Sequence, residues 1–321
     1  MKKKITILVV RNALIGAVGN ARYLFEKVND FLEDSGNKPL FDVQVAGIED
    51  AISLDRGLYT VQADALLDQI SHTDLIIIPP MSGQLENGLT LNKEYVPWIR
   101  QQYKKGAEVA SLCVGSFILA DTGLLNGSKC STHWQSANLF RRMFPEIELV
   151  DDKIITDYNG IYTSGGSNSY WNLLIYLIEK YTNHELSIRA SKYFEVEMGR
   201  DNQSQFRIFE GHKLHGDEPI LRAQEFIEAN FQDKITIEQL ADFCSLSRRT
   251  FQRRFKNATY LTVVEYIQNV RVERAKKLLE TNRLSVNEVM VETGYKDPKA
   301  FREVFKKTAG ISPNFYKSRY Q

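Results

Sequence analysis

The sequence predicts two domains of different fold class. A doubly wound, largely parallel α/β sheet is expected over residues 1–200, a linker over residues 201–219, and an all-helical domain over residues 220–321. Three observations support this division. The chain has 321 residues, enough for two domains of ~150 residues each. Short apolar runs alternate with helical patterns as far as residue 181, whereas only helical patterns remain beyond residue 218.

The predicted strands of the first domain are rich in isoleucine, leucine and valine without polar alternation, which is typical of strands buried on both faces. They lie at residues 5–10, 41–46, 75–79, 108–113, 147–150 and 161–163. Helical patterns lie at residues 21–32, 63–70, 93–103, 116–122, 135–143 and 170–181. This alternation favours parallel strands joined by helices. In such sheets the functional site lies at the carboxyl ends of the strands.

The composition is that of an ordinary globular protein. With 43% hydrophobic and 25% charged residues and 8 prolines, it is neither collagen-like nor disordered. The apolar runs are shorter than the ~20 residues that cross a bilayer. The first of them is interpreted as a strand rather than a signal peptide, because Arg11 and Asn12 end it early. The three cysteines are too scattered for a disulfide framework or a metal cluster. We therefore expect a cytoplasmic protein with no membrane partner, metal or cofactor.

Charge is divided unevenly along the chain. Residues 217–321 carry 19 lysines and arginines against 14 acidic residues, a net charge of +5, whereas residues 1–216 carry 22 against 26, a net charge of −4. A basic domain behind an acidic one indicates a polyanionic partner for the basic part.

The second domain contains a short helix, a tight turn and a strongly basic helix. Residues 236–241 form the first helix, and Ser247 is placed to cap the second, which covers residues 247–256 with Phe251 and Phe255 on its inner face. A helix-turn-helix of this kind places its second helix in the major groove of DNA, where arginine reads guanine and glutamine reads adenine. The candidate DNA-binding residues are Arg248, Arg249, Gln252 and Arg253.

The same pattern recurs 50 residues later. Residues 285–292 form a short helix, Gly294 lies in the turn, and Asp297 caps a second basic helix. A connecting helix over residues 263–281 would span about 28 Å, which suits two recognition helices ~34 Å apart. Basic helix faces are often merely solvated, but two units on one connecting helix favour DNA binding. The candidate residues of the second unit are Lys299, Arg302 and Lys306.

Residues 236–320 resemble the AraC/XylS-type DNA-binding domain, through SLSRRTFQRRFKNATYLTVVEYIQNVRVERAKKLL and EVMVETGYKDPKAFREVFKKTAGISPNFYKSRY. The resemblance implies double-stranded operator DNA as a partner, with RNA polymerase as a further candidate partner. Three residues depart from the family pattern: Tyr260 stands for a glycine, Met290 for an alanine and Glu303 for an arginine. The base-reading positions that the resemblance implies are Arg249, Gln252, Arg253, Pro298, Lys299 and Glu303.

The first domain contains the layout of a nucleophile elbow. The strand at residues 108–113 turns directly into a helix, which presents Cys113 at the carboxyl edge of the sheet. We expect the helix N-terminus to lower the pKa of this thiol, with His133 as the candidate base. The alternative is that Cys113 is a small buried residue at a tight turn and His133 a structural histidine.

The segment ASLCVGSFILADTGLLNGSKCSTHW resembles the PfpI-like, class I glutamine amidotransferase-like fold, a flavodoxin-like architecture, and in particular the GlxA-type regulators that fuse this fold to an AraC-type domain. Active members of the superfamily carry a histidine where Val114 stands and an acid after the first strand, where residues 11–20 hold no carboxylate. The resemblance therefore implies a homodimeric regulator that senses a small-molecule effector. A thiol-dependent hydrolase or glyoxalase-like enzyme is the alternative. The candidate pocket residues are Cys113, Val114, His133, Asn12 and Ser82.

Overall fold

A computed structural model describes residues 2–281 and 283–320. The chain divides into two compact units, an N-terminal unit that ends at Gln203 and a C-terminal unit that begins at Ser204. Of the predicted linker, residues 201–203 therefore belong to the N-terminal unit and residues 204–219 to the C-terminal unit.

The N-terminal unit is built on a seven-stranded sheet in the order β10-β11-β7-β6-β1-β2-β5. All neighbouring pairs are parallel except β10 and β11, which confirms the predicted doubly wound, largely parallel fold. Strands β3 and β4 form a separate antiparallel hairpin, and β8 pairs with β9. The strands are β1 (Lys3–Leu8), β2 (Phe41–Gly47), β3 (Ala51–Leu54), β4 (Tyr59–Gln62), β5 (Ala65–Leu66), β6 (Leu75–Ile78), β7 (Glu108–Ser111), β8 (Lys129–Cys130), β9 (Glu148–Leu149), β10 (Ile155–Tyr158) and β11 (Ile161–Ser164).

The helices of this unit cover the sheet. Strand β6 is fully buried because it lies in the middle of the sheet with helices packed around it, as its unbroken apolar sequence predicts. Helix α1 turns a stripe of small and aromatic side chains, among them Ala21 and Phe25, toward the sheet. The helices are α1 (Ile15–Asp34), α2 (Leu85–Leu91), α3 (Tyr95–Lys104), α4 (Ser116–Asp121), α5 (Ala137–Met143), α6 (Tyr170–Tyr181) and α7 (His184–Tyr193).

The predicted helix over residues 63–70 is wrong. The segment forms the edge strand β5 and a 3₁₀ turn at Leu67–Gln69. The cause lies at Asp64, whose backbone N–H donates to Val45 O at 2.8 Å while its carboxylate accepts from Val45 N at 2.8 Å. These two hydrogen bonds fix the chain beside β2, where pairing replaces helix formation.

The C-terminal unit is helical and has two lobes with separate apolar cores. The first lobe is centred on Phe251, Phe255 and Tyr266, and the second on Phe301, Phe305 and Tyr316. The first half of α11 lies in the first core and its second half in the second core, so one continuous helix joins the lobes. The helices are α8 (Glu218–Ala229), α9 (Ile237–Phe243), α10 (Arg248–Thr259), α11 (Val263–Glu280), α12 (Val286–Glu292), α13 (Pro298–Ala309) and α14 (Pro313–Arg319).

The two lobes repeat the same construction. In the first, the Tyr266 hydroxyl donates to Glu228 of α8 at 2.7 Å; in the second, the Tyr316 hydroxyl donates to Glu280 of α11 at 2.6 Å. Helix α8 therefore supports the first lobe as the end of α11 supports the second.

Among the described residues, no helix is long and apolar enough to cross a membrane, and no group of acidic, histidine and cysteine side chains is arranged to hold a metal ion.

Candidate nucleic-acid interface and ligand pocket

Helix α10 is the second helix of the first helix-turn-helix. It begins after Ser247, whose hydroxyl accepts from Thr250 N at 3.3 Å and so caps the helix. The preceding turn is closed by Leu246 N donating to Ala241 O at 2.9 Å, with Ser245 at a positive φ of 55°. Helices α9 and α10 thus have the arrangement that the sequence predicts.

The outer face of α10 carries all the predicted DNA-binding residues of the first unit. Arg249, Gln252 and Arg253 are exposed, whereas Phe251 and Phe255 are fully buried on the opposite face. Arg248 is also exposed, and its guanidinium forms an ion pair with Glu238 of α9, 2.7 Å between Nη1 and Oε1. The exposed face of α10 is therefore cationic, and its opposite face is anchored in an apolar core.

One cation of α10 has a different role that the sequence pattern does not reveal. Arg254 is partly buried and donates two hydrogen bonds to the Asp217 carboxylate, at 3.0 Å from Nε and 2.7 Å from Nη2. Asp217 is also the N-cap of α8, where it accepts from Ile220 N at 3.4 Å. The bidentate pair holds α10 against the start of α8. Five arginines and lysines follow one another closely in this segment. The sequence alone does not predict which of them points inward.

Helix α13 is the matching element of the second unit. Asp297 caps it by accepting from Lys299 N at 2.9 Å, and Pro298 occupies its first position. Met290, which departs from the family pattern, is accommodated in the second apolar core. The polar residues of the outer face are all exposed: Lys299, Arg302, Glu303, Lys306 and Lys307.

The N-terminal unit has a pocket of about 410 Å³ at one edge of the sheet. Its walls come from the segments that follow the carboxyl ends of β1, β6, β7 and β11 in the main sheet, which is the position expected of a functional site in this architecture. The segment that follows β8, with His133, completes the walls. The lining residues are Leu14, Gly16, Ala17, Pro80, Met81, Gly83, Leu85, Cys113, Val114, His133, Gln135, Ser136, Ser167, Asn168 and Tyr170.

The structure brings three of the predicted pocket residues together and leaves two apart. Cys113, Val114 and His133 line the pocket, whereas Asn12 and Ser82 are not among the described residues that do. Ser82 N instead donates to Asn12 O at 2.8 Å, which joins the segments that follow β1 and β6. The sequence pattern misses most of the other lining residues, whose shared signal is that each follows a predicted strand or opens a predicted helix.

Cys113 lies in a strained turn between β7 and α4. Its φ of 54° is in the left-handed region, and its N–H donates to the Ser164 hydroxyl at 3.0 Å. Two residues later, a Cβ at Gly115 would lie 2.6 Å from Ile78 O and 2.8 Å from Pro79 O. Only glycine permits this close approach of the turn to β6.

The expectation that the Cys113 thiol has a lowered pKa is wrong. Burial leaves 5% of the residue exposed and raises the pKa of the thiol to about 11. The backbone N–H groups of Val114 and Ser167 favour the thiolate but offset only part of this effect. The thiol is therefore protonated at neutral pH.

His133 is oriented by neighbours other than the cysteine. Its Nδ1 accepts from Gln135 N at 3.1 Å, and its Nε2 lies 3.4 Å from the Ser167 hydroxyl. Burial lowers the pKa of His133, so the imidazole is neutral near pH 7. Among the described residues, no hydrogen bond joins His133 to Cys113, and no charged side chain lines the pocket.

Two parts of the chain match known families. Residues 33–180 match the DJ-1/PfpI family, and residues 240–319 match a helix-turn-helix domain. The chain therefore contains a DJ-1/PfpI domain followed by an AraC-type helix-turn-helix domain, as its sequence motifs predict.

Similar proteins include transcriptional regulators that cover both parts. The HTH-type transcriptional regulator GbdR of Pseudomonas aeruginosa is 28% identical over 256 residues, which are 79% of this chain and 68% of that protein. The regulator GlxA of Rhizobium meliloti is 22% identical over 222 residues, 69% of this chain and 68% of that protein. A solved structure from Vibrio parahaemolyticus superposes with a TM-score of 0.54 at 22% identity, over 60% of this chain and 99% of the other. At that identity, the structural likeness shows the fold alone.

Proposed function

We propose that this protein is a sequence-specific, double-stranded DNA-binding transcriptional regulator whose N-terminal unit senses a small-molecule effector. The observation that carries the proposal is the pair of helix-turn-helix units, each with an exposed cationic second helix, on one continuous helix α11. The similarity to GbdR and GlxA, both named as transcriptional regulators, supports the same function. Action in the cytoplasm, on promoter DNA and beside RNA polymerase, follows from this assignment.

Within the interface, base reading and phosphate binding fall to different residues. Arg249, Gln252 and Arg253 occupy the exposed face of α10, and their side chains suit guanine and adenine edges. In the second unit, Lys299 lies at a base-reading position and suits guanine. The remaining cations suit phosphate contacts that fix register: Arg248, Arg302 and Lys306. Glu303 can only accept hydrogen bonds, so it favours a cytosine amine if it reaches a base.

DNA binding is tested with the full chain and a matched pair of variants. A preferred site is first selected from random double-stranded DNA. We expect Arg253→Ala to weaken binding to that site by about 1–3 kcal/mol and to relax base preference at one position. The control is Arg100→Ala, which removes an exposed arginine of the N-terminal unit and should leave the dissociation constant unchanged. Equal losses on the selected site and on random DNA would mean that Arg253 contacts phosphate only, and failure to select any site would contradict the proposed function.

The pocket supports sensing rather than catalysis. A protonated thiol and a neutral imidazole that do not bond to each other form no nucleophile–base pair, whereas a pocket of about 410 Å³ is large enough for a small metabolite. A ligand regulates such a protein only by binding one arrangement of a homodimer more tightly than another. The enzyme alternative predicts turnover that Cys113→Ala abolishes. Effector-dependent regulation that survives this substitution, together with no turnover of model substrates, would exclude it.

Two glycines of α1 give a matched test of the pocket. Gly16 lines it and Gly19 does not, and a Cβ at either position meets no atom within 4 Å. We expect a metabolite that binds here to raise the melting temperature of the wild type and of Gly19→Leu but not of Gly16→Leu, whose side chain fills the pocket. Tryptophan fluorescence suits this measurement because Trp98, Trp134 and Trp171 all lie in the N-terminal unit. Equal stabilisation of both variants would place the ligand elsewhere.

A further inference from the structure

A polar junction joins the two lobes of the C-terminal unit. We define it by the loop Phe231, Gln232 and Asp233, which lies between α8 and α9 of the first lobe, and by Arg271 and Tyr295. Arg271 lies in α11, and Tyr295 lies in the turn of the second helix-turn-helix. The apolar cores of the lobes are separate clusters. Their relative orientation therefore depends on α11, on this junction and on residues 206–209, where Phe209 packs against the first core while Arg207 O accepts from Lys276 and Phe206 stacks with Arg319.

Arg271 is the centre of the junction. Its Nε donates to Phe231 O at 2.7 Å and its Nη2 donates to Asp233 O at 2.9 Å, so the guanidinium bridges two carbonyls of one loop. The same guanidinium stacks over the Tyr295 ring, 5.3 Å from its centroid. A planar group with several fixed donors can make both kinds of contact at once, which a lysine ammonium cannot.

Two further contacts close the junction on the other side. Gln232 Nε2 donates to Glu292 O at 2.8 Å, at the end of α12. Gly294, at a φ of 77°, approaches the same loop so closely that a Cβ would lie 2.4 Å from Gln232 O. The turn before the second recognition helix is thus fixed to the loop before the first helix-turn-helix.

From this geometry, and given the proposed DNA-binding function, we infer that Arg271 is a positioning residue that determines which spacing between two half-motifs the protein accepts. The residue is partly buried, and its Nε and Nη2 both donate to carbonyls of the protein. We therefore expect it to act through α10 and α13 rather than on DNA. One inserted base pair moves a half-motif by about 3.4 Å and rotates it by about 35°. Two recognition helices whose relative position is fixed cannot both reach half-motifs that have moved in this way. Recognition helices on lobes that can shift relative to each other can reach them.

The test uses the full chain and a series of DNA sites. The selected site is altered by inserting or deleting one or two base pairs between its half-motifs, and dissociation constants are measured for each. We expect the wild type to lose at least about tenfold in affinity per single base-pair change, the scale of a mismatched position. Arg271→Ala should lose less than about threefold per single base-pair change, since the polar junction then no longer restrains one lobe against the other and only α11 and residues 206–209 still join them. Arg274→Ala, which removes an exposed arginine on the same helix, is the matched control and should keep the wild-type discrimination.

A second variant keeps the inference falsifiable if Arg271→Ala does not fold. Arg271→Lys retains the charge but has a single donor nitrogen, which does not reproduce the planar bridge between the two carbonyls. It should discriminate spacing less than the wild type. Full spacing discrimination in a folded Arg271 variant, or a wild-type footprint on one half-motif only, would overturn the inference. If the wild type selects no sequence at all, the proposed function itself fails, so the two failures are distinguishable.

Discussion

At the scale of single residues, Cys113 combines the position of a nucleophile with an unreactive side chain. Its left-handed φ of 54° costs a residue with a Cβ about 1–2 kcal/mol, and the hydrogen bond to Ser164 helps to hold it there. Strain of this kind often marks a functional position. Burial nevertheless keeps the thiol protonated, because the ionised form would have to exist away from water.

The raised pKa of Cys113 makes alkylation slow. Since the thiolate is the reactive form, we expect iodoacetamide to modify Cys113 roughly 100-fold more slowly than free cysteine at about pH 7.5. The rate should keep rising up to the pKa of about 11, whereas free cysteine levels off above about pH 8.5. Mass spectrometry of the Cys113 peptide measures both rates, with Cys113→Ser identifying the peptide. Complete modification within minutes near neutral pH, with no increase at higher pH, would contradict the assignment of a neutral thiol.

At the scale of elements, α10 is held to the start of α8 by Asp217. This side chain both caps α8 and binds Arg254 of α10 in a bidentate ion pair. The hydrogen bonds from Arg254 are the main reason that the pKa of Asp217 lies below its usual range. A carboxyl group with a lowered pKa in the folded state stabilises that state above its unfolded pKa, and the stabilisation is lost as the pH falls through the folded value.

Substitution of Asp217 should separate its two roles. Asparagine caps a helix about as well as aspartate does, so Asp217→Asn should lose only the ion pair, whereas Asp217→Ala should lose about 1 kcal/mol more with the cap. Amide hydrogen exchange of α8 and α10 measures this local stability. The protection factors of these amides, which correct for the intrinsic pH dependence of exchange, should fall below about pH 4 in the wild type, whereas Asp217→Asn should show no such loss from this site. Identical pH profiles for the two proteins would contradict the role assigned to the pair.

The position of a helix can be predicted from the sequence where a strong local signal, such as a capping residue, is not opposed by tertiary contacts. The prediction of residues 170–181 agrees with α6, and the capping residues Ser247 and Asp297 locate α10 and α13. The helix predicted over residues 63–70 is wrong because tertiary pairing with β2 overrides local propensity. The sequence pattern does not reveal the β3–β4 hairpin, since its strands are short and mostly solvent-facing.

The candidate DNA-binding face and the pocket can be predicted from the sequence to different degrees, because the first depends on local periodicity and the second on the tertiary fold. The candidate DNA-binding residues lie on two helices, where a period of about 3.6 residues separates inner from outer positions. Pocket residues come from five chain segments that only the folded domain brings together. Cys113 and His133 stand out by residue type, but the direction of a pKa shift depends on burial, which a sequence does not display.

At the scale of the whole molecule, the net charge of +1 is small because the acidic N-terminal part and the basic C-terminal part nearly cancel each other. The basic C-terminal part of the chain contains two lobes with separate cores, and each lobe presents one cationic helix. Phosphate contacts by these helices release counterions, so binding should weaken as salt rises. An interface of two such helices must also leave a two-part footprint, whereas non-specific attraction to a basic surface would not.

Hydroxyl-radical footprinting of the full chain on its selected site therefore tests the central claim most directly. We expect two protected stretches on one face of the duplex, centred about 10–10.5 base pairs apart. Substituting Arg249 and Arg253 together by alanine should remove one stretch, and substituting Lys299 and Arg302 should weaken the other. A single protected stretch, or uniform weak protection that disappears equally in both variants, would contradict DNA recognition by two helix-turn-helix units.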